Sequence, residues 1–147
     1  MNYRICLFFL TILIAPFAHA QETASWKVYL GKKNILTGNT EDTSKNIIAV
    51  KKADLTNNGM FKIEYTDSKN SATKGWVRTI ALMDTTSAVV AQRDSTSELR
   101  FYNKDMLKIL WSRKKVSLYT WAAPADPAMA AAIRIRRQHL CTIILAD

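Results

Sequence analysis

The sequence predicts an all-β chain, mainly antiparallel, folded as a sandwich of roughly eight to nine strands with one short α-helix near its C-terminal third. Three observations carry that expectation. Apolar and polar residues alternate with period two in several short runs, as half-buried strands require. Clusters of turn residues separate those runs at intervals of about 8 to 15 positions. The repeated long helical patterns that a parallel α/β architecture demands are absent.

Trp26, Val28 and Leu30 share one face of the first strand, with Lys27 and Tyr29 on the other. Gly31, Lys32, Lys33 and Asn34 make a turn into a second strand over 35–37. A polar stretch over 37–45 reads as a loop, and a third strand follows over 46–51. Asn57, Asn58 and Gly59 punctuate the chain before its cleanest alternation, in which Phe61, Ile63 and Tyr65 interleave with Lys62 and Glu64. A polar loop over 67–75 leads to residues 76–83, which are apolar on both faces, as a central strand is. Asp84, Thr85, Thr86 and Ser87 form the next turn, with strands over 88–93 and around Leu99 and Phe101 beyond it.

The helix begins at Asn103, read as its cap, with Asp105 in the first turn. Leu107, Leu110 and Trp111 form an i, i+3, i+4 stripe that predicts its buried face. Lys114 and Lys115 follow at the end where cations are favoured. Residues 116–121 give another strand. Asp126 and Pro127 open a short helical turn, with proline at its first position. Residues 133–145 read as the last strand.

Residues 1–20 have the pattern of a secretory leader. Arg4 supplies the positive charge, 5–14 form an apolar run, and Ala18 and Ala20 suit cleavage before Gln21. The run is too short for a bilayer core of about 30 Å. The expected mature unit is therefore 21–147, a single β-sandwich domain, exported to the periplasm or beyond the cell and without a stable membrane span. Its charge would be +8, from 20 cationic and 12 acidic residues once Arg4 is lost. Cys6 and His19 would leave with the leader, so Cys141 and His139 remain as the one thiol and the one imidazole.

That scarcity excludes much chemistry. A zinc site draws three or four ligands from His, Cys and carboxylates, and His139 with Cys141 supplies two. In a strand the two share a face, so a Cys-His nucleophilic pair is conceivable, yet adjacent same-face positions seldom give the geometry of a thiolate–imidazole pair. Ser71 and Ser112 each precede a lysine by three positions, without the companion motifs of a Ser-x-x-Lys enzyme. There is no G-x-S-x-G, P-loop or G-x-G-x-x-G, and Glu41 with Asp42 lacks the spaced oxygens of a calcium loop. Asp54, Glu64, Asp84 and Glu98 are separate carboxylates that the sequence alone does not bring together. No cofactor, metal or catalytic residue is expected.

Cationic runs are the most distinctive polar feature. Arg134, Arg136 and Arg137 read as part of the last strand, with Arg134 and Arg136 pointing outward together. Such spacing grips carboxylates or phosphates, and Arg113, Lys114 and Lys115 would extend the patch if neighbouring strands align them. The competing reading is a solvated edge that resists aggregation. Of the four tryptophans, Trp26 and Trp111 sit in phase with core residues, whereas Trp121 leads into a loop where a partly exposed ring would make an aromatic contact.

The expected function is a non-catalytic binding or accessory module of the cell envelope, meeting an anionic polymer or a protein through its basic face. Nucleic acid is not an expected partner, because no binding motif is present. Two alternatives stand beside this reading. One is a small envelope hydrolase using a carboxylate pair, and the other a subunit that assembles by adding a strand to an open sheet edge.

Overall fold

In the computed structural model, which describes residues 23–68 and 75–146, nine strands form two sheets that face each other across one core. The leader at 1–20, its cleavage point and Ser71 lie outside the described residues. In chain order the strands are β1 Ser25–Leu30, β2 Lys33–Gly38, β3 Ile47–Lys51, β4 Met60–Thr66, β5 Trp76–Asp84, β6 Val89–Asp94, β7 Glu98–Tyr102, β8 Lys115–Pro124 and β9 Gln138–Ala146. Helix α1, Asn103–Arg113, joins β7 to β8, and the short α2, Pro127–Ala132, lies between β8 and β9. The first sheet has the order β2-β1-β4-β7 and the second β3-β9-β8-β5-β6. All neighbours are antiparallel except β3 and β9. The fold is the predicted all-β sandwich.

The alternating runs supply the core. From the first sheet come Trp26, Val28, Phe61, Ile63, Tyr65 and Leu99, all buried. From the second come Ile48, Val50, Ile80, Leu82, Val116, Leu118, Cys141 and Ile143. β5 is buried on both faces, as its composition predicts. Ile80 and Leu82 enter the core, while Ala81 and Met83 are buried between β6 and β8 on the other face.

The helix begins one residue differently from the expectation. Tyr102 holds the cap position, and Asn103 is the first helical residue. The Asn103 amide donates instead to Asn57 Oδ1 at 2.5 Å and to the Asp54 carbonyl at 3.4 Å, tying the helix start to the preceding loop. The buried seam runs through Asn103, Met106 and Leu110, with Leu107 on its flank. Trp111, expected in the core, is 56% exposed. The centre of the seam falls on Met106, and one position past Leu110 turns the indole about 100° away from the core. Lys114, at φ +63°, stops the helix and returns its N–H to the Leu110 carbonyl at 2.7 Å. α2 opens as expected, with the Asp126 carboxylate accepting from the Ala128 N–H at 2.9 Å.

The last strand also differs. It starts at Gln138, and residues 133–137 form an irregular connection. Arg134, Arg136 and Arg137 therefore do not stand in a strand. Strict alternation would have turned Arg137 toward the sheet, where an unpaired guanidinium is costly. Leaving the segment irregular keeps all three exposed.

Candidate functional site

The 133–137 connection passes over the far end of β8. There the Arg137 guanidinium lies 5.3 Å from the centre of the Trp121 ring, within cation–π range. Trp121, Arg134, Ile135, Arg136 and Arg137 line an open concavity of about 750 Å³. Trp121 is half-buried and lies within β8, which continues to Pro124 instead of giving way to the loop expected after residue 121. Thus the structure brings four of the seven sequence-selected binding residues to one place.

One carboxylate organises this end. Arg136 Nη2 donates to Glu41 Oε2 at 2.7 Å, and the His139 backbone N–H donates to Glu41 Oε1 at 2.9 Å. Glu41 thereby fixes both the connection and the start of β9. Among the described residues, no carboxylate forms an ion pair with Arg134 or Arg137.

A second cavity, of about 400 Å³, shares Trp121 and Arg136 with the first and opens between the sheets. Tyr65, Thr120 and Gln138 lie on its wall, together with Arg78, Asp67 and Glu41. Arg78 sits 4.4 Å over the Tyr65 ring. It donates to Asp67 through Nε at 2.9 Å and through Nη2, and to Thr120 Oγ1 at 3.2 Å. Thr120 passes its own proton to the Thr79 carbonyl at 2.7 Å, and the Tyr65 hydroxyl donates to Gln138 Oε1 at 3.3 Å. Burial pushes the Tyr65 phenol above its ordinary pKa against the opposing pull of Arg78, so it remains a donor.

Sequence reasoning missed Arg78, Gln138 and Glu41. A signal existed for the first, because Arg78 shares the inward phase of Ile80 and Leu82 on β5. A cation in that phase has to meet an acceptor or a cavity. Glu41 offered no such sign, since its partners lie 95 and 98 positions away.

Arg113, Lys114 and Lys115 do not extend the arginine patch. β8 and β9 do pair, but antiparallel, with Lys115 opposite Ile144 and Thr120 opposite Gln138. The two basic runs therefore sit at opposite ends of β8, and Lys115 stands about 20 Å from Trp121 by strand rise. Arg113 Nε is 3.5 Å from Asp84 Oδ2, and Lys114 Nζ lies 4.7 Å from the centre of the Trp111 ring.

The predicted shared face of His139 and Cys141 is broken by a bulge. Leu118 pairs with Cys141 and Tyr119 with His139, which leaves Leu140 as an extra residue. Cys141 consequently faces the core, where burial pushes its thiol far up. His139 turns to the outer face, where its Nε2 meets Thr142 Oγ1 at 2.9 Å and its ring meets Tyr119 edge-on. Burial is the main cause lowering the His139 pKa, with Glu41 opposing and Lys115 reinforcing it.

The four singled-out carboxylates behave as surface groups. Asp54 accepts from the Lys51 N–H, and Asp84 closes its turn by accepting from Thr86 and Ala88. Glu64 and Glu98 do meet, directly opposite on β4 and β7, but each is paired along its own strand with Lys62 or Arg100. They lie on the outer face of the first sheet rather than in a groove. Among the described residues, no cluster of three or more His, Cys, Asp or Glu residues is arranged to hold a metal. No protein-family model and no curated protein matches the sequence.

Proposed function

We propose that the protein is an exported, non-catalytic binding module of the cell envelope that engages an anionic polymer through the Trp121 end of the sandwich. The observation that carries this reading is the pair Arg134 and Arg137, exposed beside Trp121 and without a carboxylate partner among the described residues. Guanidinium groups of this kind pair bidentately with carboxylates and phosphates. Arg136 serves a different purpose, since Glu41 already occupies it. Export rests on the charge, apolar run and cleavage pattern of residues 1–20.

The test uses the mature chain and polygalacturonate as a polyanionic probe. Binding should weaken steeply as salt is raised and fall at least tenfold in the Arg134→Ala, Arg137→Ala double variant. Unchanged affinity in that folded variant would refute the reading.

One observation favours a second reading, a hydrolase. Glu41 and Asp67 line the same cavity. Each is already engaged by an arginine, Asp67 by Arg78 and Glu41 by Arg136, so neither stands free to meet a substrate. Activity toward envelope glycans that disappears in Glu41→Gln and Asp67→Asn would establish it.

A further inference from the structure

We propose that the outward face of α1, at the end of the sandwich opposite Trp121, docks on an anionic lipid bilayer. Lys104, Lys108 and Trp111 follow one another at i, i+4 and i+7, so they form a stripe along the helix away from the seam of Met106 and Leu110. The indole is exposed by more than half. Together with Leu107, Lys108 and Lys52 it lines a shallow concavity of about 330 Å³ whose exposed wall is mainly apolar.

Two ammonium groups flank that ring. Lys52 Nζ lies 4.9 Å from its centre and Lys114 Nζ 4.7 Å. The arrangement has a specific use. A ring with an apolar body and a polar N–H settles at the headgroup level of a bilayer, and lysines beside it meet lipid phosphates at the same depth. Charge is complementary to that partner: residues 103–115 carry five cations and one acid. Lys52, Lys104, Lys114 and Lys115 have no carboxylate partner among the described residues. Negative leaflets attract such clusters.

A protein partner fits less well. A stable protein interface covers about 800 Å² on each side around a dry apolar centre. One indole and one half-buried leucine on a convex helix supply little of that, whereas insertion of a single ring into lipid needs no matching surface.

Co-sedimentation of the mature chain with vesicles tests the proposal, using phosphatidylcholine alone and phosphatidylcholine with 30% phosphatidylglycerol. Binding to the anionic vesicles only is expected, lowered about tenfold by Trp111→Ala and abolished by Lys108→Glu with Lys114→Glu. These positions are exposed, so the fold is not at risk. Brominated lipid should quench fluorescence in the native chain and not in Trp111→Phe. The Arg134→Ala, Arg137→Ala variant should bind vesicles as the native chain does, which separates this surface from the polymer site. Equal binding to uncharged vesicles, anionic binding indifferent to the α1 variants, or its loss in the arginine variant would each overturn the proposal.

Discussion

Gly38, at the end of β2, stands opposite Trp26 of β1, and a Cβ on that glycine would lie 2.5 Å from Cε2 of the indole. The ring is almost wholly buried and packed against the core, so it has no room to give. Gly38→Ala is expected to destabilise the fold by about 1–3 kcal/mol, the usual range for overpacking. Urea unfolding should show a lower midpoint with an unchanged slope.

Cys141 should behave as part of the core. It is fully buried, and burial raises its thiol pKa well above the ordinary value. The native protein should resist an aromatic disulfide reagent at pH 7.5 and react at once in 6 M guanidinium. Cys141→Ser should cost about 1–3 kcal/mol by burying a hydroxyl without a partner. Rapid labelling of native protein would contradict this.

His139 gives the fold a pH dependence. Its pKa in the folded state is depressed from 6.5, chiefly by burial, so above 6.5 both folded and unfolded chains hold it neutral. As pH falls below 6.5 the unfolded chain takes up a proton first, and stability is lost progressively down to the folded pKa. The acid side is Glu41 and the basic side Lys115, with Tyr119 edge-on to the ring. Thermal midpoints should fall from pH 7 to pH 5, and His139→Gln should flatten that decline.

Glu41 and Arg136 should differ as mutation sites although they form one ion pair. The Arg136 side chain is 84% exposed and that of Glu41 29%. Arg136→Ala therefore removes a mostly solvated contact worth about 0–1 kcal/mol. Glu41→Ala also strips the His139 N–H of its charged acceptor, and about 1–3 kcal/mol is expected. Limited trypsin digestion should cut the 134–137 connection faster in Glu41→Ala than in the native chain.

How much of this was legible depends on the range of the forces involved. β1, β4 and β5 could be read directly, because alternation and double-sided apolarity are local consequences of burial. The start of β9 could not, since Arg134, Ile135 and Arg136 alternate as a strand would. What withholds them from the sheet is distant: beyond Thr120, β8 pairs only with β5. Trp111 was misjudged for a rotational reason, because a stripe through Leu107 and Leu110 admits two neighbouring faces. At the candidate site, the arginines were visible as a cationic run and Trp121 as a partly exposed ring, although the strand boundaries around both fell elsewhere. Arg78 left a local sign in its inward phase on β5, whereas Gln138 and Glu41 became visible only through pairings across the chain.

The parallel pairing of β3 with β9 sets Ile47 beside Thr142, positions 95 residues apart. β3 is flanked in sequence by β2 and β4, both of the opposite sheet, so its docking also fastens one layer to the other. A contact of such high order has to wait for the loop between its ends to close, which slows folding toward the millisecond-to-second range. Until then one side of β9 presents unpaired backbone groups to any neighbouring chain. The interval before β3 arrives is thus the protein's period of greatest risk from aggregation, and a folding helper that shields that edge would have most effect during it.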